Sequence, residues 1–153
     1  MNRVVTDFRC ASTSGEVRLK DYRGKHVVLY FYPKDSTPGC TQEGQDFRDL
    51  NTSFRRQNAV ILGASRDSLA AHEKFRAKFD FPFDLLSDPE EKLCRQFDVI
   101  REKSLYGRKY MGVERSTFLV DAAGKLRGEW RNVKVGGHAG EVLAAVKALN
   151  RAD

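Results

Sequence analysis

Cysteine is scarce in this chain: three residues, Cys10, Cys40 and Cys94, stand at wide and irregular spacings. No Cys-x-x-Cys pair occurs, which argues against a disulfide framework, a dithiol exchanger and a zinc pattern, and leaves individual thiols in a reducing compartment. Long apolar runs are also missing. No stretch approaches the roughly 18 apolar residues of a membrane span, and the segment from Met1 to Asp7 has no apolar leader, so a cytoplasmic location is expected. His26 and His72 stand isolated, without ligand-spaced partners; neither a metal nor a cofactor is expected. With no internal repeat, low-complexity tract or linker, residues 1–153 are expected to form one domain.

What is present is ordinary for a globular protein. Apolar residues make up 41% and charged residues 31% of 153, enough for a real core. The net charge of +6 raises the question of nucleic acid. Lys and Arg are nonetheless interleaved with Asp and Glu, as in Asp21-Tyr22-Arg23-Gly24-Lys25 and Asp88-Pro89-Glu90-Glu91-Lys92, the pattern of a solvated mixed surface. The densest basic stretch, Arg101, Lys103, Arg108, Lys109 and Arg115, carries no nucleic-acid motif. Neither nucleic acid nor a membrane is expected as a partner.

Hydrophobic patterning orders the rest. Val17 and Leu19 alternate with charge after Ser14-Gly15, as in a short strand. The run from Val27 to Tyr32 is continuously apolar, as in a strand buried on both faces. Phe47, Leu50 and Phe54 recur at helical intervals and predict a helix from Thr41 to Arg56. A strand from Ala59 to Gly63 and a helix capped by Asp67-Ser68, carrying Leu69, His72, Phe75 and Phe79, come next. Phe83 to Leu86 predicts another strand, and Ser87-Asp88-Pro89 a helix through Phe97. Asp121-Ala122-Ala123-Gly124 joins two strands as a hairpin, and Glu141 to Leu149 closes as a helix, with Val142, Ala145, Val146 and Leu149 on one face. This order implies a mixed sheet, and an α/β thioredoxin-like fold, its central sheet flanked by helices on both faces, satisfies it.

Chemistry concentrates at Pro33-Lys34-Asp35-Ser36-Thr37-Pro38-Gly39-Cys40. A thiol there leaves a buried strand through a Pro/Gly turn just ahead of a helix. Helix-start N–H groups favour the thiolate, which is the nucleophile. A buried cysteine beside a core strand would otherwise serve as a small apolar residue, Thr37 as a helix cap, and Glu43 as a capping carboxylate. Tyr30 and Tyr32 suit either a pocket wall or the core.

Pro33, Thr37 and Cys40 stand in the spacing P-x-x-x-T-x-x-C, which resembles the active-site signature of peroxiredoxins. Tyr30-Phe31-Tyr32-Pro33-Lys34 and Thr37-Pro38-Gly39-Cys40-Thr41-Gln42-Glu43 are similar to one branch, the bacterioferritin comigratory protein or peroxiredoxin Q group. The resemblance continues through Gly63-Ala64-Ser65-Arg66-Asp67-Ser68, Met111-Gly112-Val113-Glu114-Arg115-Ser116 and Val133-Lys134-Val135-Gly136-Gly137-His138. It implies a thiol-dependent peroxidase acting on hydrogen peroxide and organic hydroperoxides, with Cys40 passing from thiolate to sulfenic acid. By that resemblance Arg115 supplies a guanidinium to Cys40, Thr37 a hydroxyl and Pro33 a shield from water, with Glu43 and Tyr32 in support. His138 matches a family landmark and is expected to cap rather than catalyse. A monomer is implied as well.

Many relatives carry a resolving cysteine five residues after the first, where this chain has Gln45. Cys94 and, more remotely, Cys10 are the internal candidates to resolve Cys40; Cys94 also reads as a core cysteine. The expectation is a single-cysteine mechanism, with a thioredoxin- or glutaredoxin-like protein or a small thiol as reductant. The competing functions are a thioredoxin-like disulfide oxidoreductase, for which Thr37 stands where the second cysteine should be, and a non-enzymatic redox-sensing or binding module.

Overall fold

The computed structural model describes residues 2–152. Its centre is β3 (His26–Phe31), buried along its whole length, paired in parallel with β4 (Ala59–Ser65). β4 pairs in parallel with β5 (Asp84–Ser87). The crossovers from β3 to β4 and from β4 to β5 run through α1 (Pro38–Arg56) and α2 (Leu69–Lys78). Both step in the same direction, so right-handed connections put both helices on one face. β1 (Arg9–Ser12) and β2 (Gly15–Arg18) extend the β5 edge in antiparallel fashion. β8 (Ser116–Val120) and β9 (Leu126–Trp130) extend the β3 edge, completing seven strands in the order β2-β1-β5-β4-β3-β8-β9. The final helix α4 (His138–Ala152) packs on α1.

Alternation along β3 builds two cores. Val28, Tyr30 and Tyr32 join Phe47, Phe75 and Val146 under α1, α2 and α4. Val27, Leu29 and Phe31 join Phe8, Leu93 and Val113 on the opposite face. That face carries the short α3 (Lys92–Gln96) and the hairpin of β6 (Ile100–Leu105) and β7 (Arg108–Val113). Residue 44 is glycine where α1 presses on the Phe81 ring; a Cβ there would lie 2.4 Å from the ring.

Four expectations need correction. α1 begins at Pro38, not Thr41, because Thr37 has the extended N-cap backbone and Pro38 fits the first turn. The strand expected through Leu19 ends at Arg18, and Leu19 opens a 3-10 turn, Leu19–Tyr22. The helix expected from Pro89 starts only at Lys92: Glu91 is left-handed at φ 64°, and the Asp88 carboxylate caps the Leu93 and Cys94 amides at 3.1 and 2.7 Å. The β6–β7 hairpin was not expected at all. Tyr106 and Gly107 both have positive φ, 51° and 77°, as a two-residue type I′ turn requires.

Candidate active site

Thr37 as N-cap puts Pro38, Gly39 and Cys40 in the first turn of α1, directly beyond the end of β3. Cys40 is 2% exposed. Sheet register supplies its partner. Phe31, the last residue of β3, pairs with Ser116, the first of β8, so Arg115 is delivered beside the turn that leads into α1. The Arg115 guanidinium donates from Nη2 to Cys40 Sγ at 3.4 Å and from Nη1 to Glu43 Oε1 at 2.6 Å. A Cβ on residue 39 would stand 3.2 Å from Nη2, so glycine there keeps the approach open.

Glu43 lies one turn along α1 and is 1% exposed. It does not cap the helix; its carboxylate orients Arg115. Burial pushes Glu43 up to about 7 against the pull of Arg115. Burial first, then Glu43 and Cys40, holds the Tyr30 phenol protonated well above its ordinary range. Tyr30 stacks on Phe47 with centroids 4.6 Å apart, and its hydroxyl meets no partner among the described residues.

Thr37 is not a side-chain cap either. Its hydroxyl donates to the Lys34 carbonyl at 2.8 Å, which leaves the oxygen lone pairs as acceptors. Pro33 and Arg115 line an open cavity of about 350 Å³ with Arg101, Lys103, Glu114 and Asn132. Lys103 belongs to the unexpected hairpin and is anchored by donating to the Val113 carbonyl at 2.6 Å. A larger cavity of about 570 Å³ is lined by Arg9, Cys10, Ser68, Asp88 and Glu90 among others, but among the described residues no guanidinium hydrogen-bonds its thiol, which donates to the Ser87 carbonyl.

Comparison with known proteins identifies the family. The AhpC/TSA family model matches residues 1–129. The chain belongs to the AhpC/TSA family. Peroxiredoxin Bcp of Bacillus subtilis is 52% identical over 145 residues, spanning 94% of this chain and 92% of the relative. Peroxiredoxin Bcp of Xanthomonas campestris is 54% identical over 133 residues, spanning 87% and 83%. A solved cysteine-to-serine mutant of Xanthomonas campestris peroxiredoxin Q matches with a TM-score of 0.91 at 47% identity over 97% and 99% of the two chains. The bacterioferritin comigratory protein of that organism, solved for its alkyl peroxide reduction activity, matches at 0.89 with 50% identity over 94% and 92%. The fold is thioredoxin-like and the chain is a peroxiredoxin, a thiol-dependent peroxidase. No helix among the described residues is long and apolar enough to cross a membrane.

The peroxiredoxin's other thiols lie elsewhere. Cys10 and Cys94 belong to the core with Val27, Leu29 and Phe31, whereas Cys40 belongs to the core with Tyr30 and Tyr32. The sheet therefore stands between Cys40 and both candidate resolving cysteines. Burial, with Asp88 nearby, pushes the Cys10 thiol up to about 12 and the Cys94 thiol higher still. Cys10 donates to the Ser87 carbonyl at 3.3 Å.

The histidines are not isolated. His26 bridges Asn150 Oδ1 at 2.7 Å and the Ala122 amide at 3.2 Å. His138 opens α4 and ties it to Thr117 of β8 at 2.7 Å. His72 lies 2.6 Å from Asp35, inside the octapeptide. Spacing gave no sign of that pair, which spans 37 residues; its one signal was a histidine on the apolar stripe of α2 with Phe75.

Proposed function

We propose that Cys40 is the peroxidatic cysteine, acting on hydrogen peroxide and organic hydroperoxides, and that an external thiol regenerates it. The observation that carries this reading is the single guanidinium held between Cys40 Sγ and Glu43 Oε1. A fixed cation stabilises the thiolate and then the negative charge on the departing oxygen, without reorganisation during the reaction. The thiolate attacks one oxygen of the O–O bond, which breaks. Sulfur gives up two electrons and becomes a sulfenate, while the second oxygen departs as hydroxide or alkoxide and takes up a proton to leave as water or alcohol. Thr37 Oγ1, its own proton committed to Lys34, accepts from the hydroperoxide O–H. Pro33 has no N–H to draw water to the thiolate. Glu43 orients Arg115, and Tyr32 anchors the loop through Asp35.

The sheet between Cys40 and the other two thiols supports the single-cysteine route. A disulfide needs Cα atoms within about 7 Å, and no small rotation of α1 carries its N-terminus through a sheet. A thioredoxin- or glutaredoxin-like protein or a small thiol attacks the sulfenic sulfur instead, expelling water and leaving a mixed disulfide for a second thiol to cleave. Activity in the cytoplasm, as one monomeric domain without cofactor, completes the proposal. Peroxide consumption with dithiothreitol as reductant tests it: Cys40→Ser loses all turnover, and undiminished turnover there would overturn the assignment.

A further inference from the structure

The loop that presents Thr37 and Cys40 is held from below by a buried chain of hydrogen bonds that the chemistry at sulfur does not use. Ser36 sits at φ 64°, a left-handed conformation that a serine keeps only when its surroundings hold it there. Asp35 does the holding. Its Oδ1 accepts the Tyr32 hydroxyl at 2.6 Å, its Oδ2 lies 2.6 Å from His72 Nδ1, and its backbone N–H donates to Asp67 Oδ2 at 3.0 Å. The other ring nitrogen, His72 Nε2, lies 2.8 Å from the Leu86 carbonyl oxygen of β5. His72 and Tyr32 are both 0% exposed and Asp35 is 8% exposed.

Counting protons constrains this chain. A carbonyl only accepts, so Nε2 carries a hydrogen. A bare Nδ1 would then set its lone pair against a carboxylate lone pair at 2.6 Å, an arrangement no hydrogen bond permits. A second proton therefore lies between Nδ1 and Oδ2, on the ring as an ion pair or on the acid as a neutral one. Either form leaves the buried pair with no net charge, the condition under which burial is tolerated. His26 is the internal contrast: its Nδ1 accepts the Ala122 amide, so one ring proton satisfies it. The same count disfavours a cation among Asp35, Asp67 and His72, whose ligand atoms lie within 4.8 Å of one another, because Nε2 carries a hydrogen and Nδ1 is committed to the hydrogen bond with Asp35 in either form. The remaining groups facing the pair are Tyr32, with Tyr30 beyond it, and Asp67, with Ser87 donating to the Asp67 carbonyl at 2.6 Å.

We propose that Asp35 and His72 hold one shared proton and that through it α2 fixes the catalytic loop, which makes both positioning residues for Thr37 and Cys40. This rests on Cys40 being the peroxidatic cysteine. The test combines nitrogen-15 NMR of the three histidine rings with stopped-flow oxidation of Cys40 by hydrogen peroxide, on the full chain. In the wild type, His72 alone has hydrogen on both ring nitrogens or a far-downfield proton at Nδ1. Asp35→Ala abolishes that signature and slows Cys40 oxidation about 10- to 100-fold, the scale of a misplaced reacting group. Asp35→Asn loses the downfield proton but recovers most of the rate, since its amide donates to a neutral ring while its oxygen still accepts from Tyr32. His72→Gln, which retains a donor for Leu86 but not one for Asp35, is slowed like Asp35→Ala. A wild-type spectrum that shows neither a second proton on the His72 ring nor a far-downfield proton between Nδ1 and Asp35 Oδ2 overturns the proposal, as does a folded Asp35→Ala or His72→Gln protein oxidised at the wild-type rate. Where a variant fails to fold, the wild-type spectrum decides. Failure of the underlying assignment is separate and shows as an active Cys40→Ser enzyme.

Discussion

Cys40 and Cys94 occupy matching places on opposite faces of the sheet. Each is the third residue of its helix, and they are 2% and 0% exposed. They differ in what answers the positive end of the helix. At α3 the Asp88 carboxylate takes the Leu93 and Cys94 amides, so the helix end is already neutralised and a thiolate would face another anion. Burial and Asp88 together drive that thiol far above its ordinary range. At α1 no side chain caps the end, and Arg115 stands against the sulfur. A helix N-terminus alone therefore does not make a nucleophile. On the proposed reading, the charge beside it decides.

Removing the cation should blur the contrast most. Arg115→Met is expected to lower kcat/KM for hydrogen peroxide about 100- to 1000-fold, the scale of one lost charge-stabilising donor. Arg115→Lys should recover only part of this, because an ammonium cannot span Sγ and Oε1 as the planar fork does. Steady-state kinetics over a peroxide series checks both, and a near-wild-type Arg115→Met would deny that the guanidinium separates the two thiols.

Glu43 sharpens the comparison through pH. Burial lifts its pKa to about 7 in the folded protein, above the ordinary glutamate value of 4.5, so the folded protein binds more protons than the unfolded chain between those values. Stability then falls as pH rises from about 4.5 to about 7, by up to about 3 kcal/mol, and levels off beyond. Glu43→Gln should flatten that fall, as denaturant titrations at several pH values would reveal; a slope unchanged in the variant would remove Glu43 as its source.

The smallest effects belong to the far face. Cys94→Ser keeps a donor beside the Asp88 carboxylate but puts a more polar group into the core and should cost about 1 kcal/mol of stability, while peroxide turnover with dithiothreitol stays at the wild-type value. Cys10→Ser should change stability by about 1 kcal/mol or less, since a hydroxyl can keep the bond to the Ser87 carbonyl. Melting curves beside the turnover assay check the pair, and lost turnover in either would place a working thiol on the wrong face.

The parts of this molecule written in local pattern were legible in its sequence. The apolar run of β3, the α1 stripe of Phe47 and Phe54, and the Asp121–Gly124 turn each carry their own signal, and the octapeptide singled out Cys40 as the candidate nucleophile. Arg115 came from resemblance, and the register of Phe31 on Ser116 now supplies its physical reason. The β6–β7 hairpin was missed because its strands are polar and largely exposed, so no apolar alternation marks them. Tyr106-Gly107 was the available clue. The shift of the α3 start depends on a carboxylate reaching forward from Asp88, and the Asp35–His72 pair on two segments meeting only in the fold. Neither leaves a local trace.

The most direct test of the central claim treats the reduced protein with one equivalent of hydrogen peroxide in the presence of a sulfenic-acid trap, followed by non-reducing mass spectrometry of its peptides. The trap should label Cys40 alone, with Cys10 and Cys94 recovered as free thiols. A Cys40–Cys94 or Cys40–Cys10 disulfide would contradict the account, because it would mean that the two faces of the sheet do not keep these thiols apart.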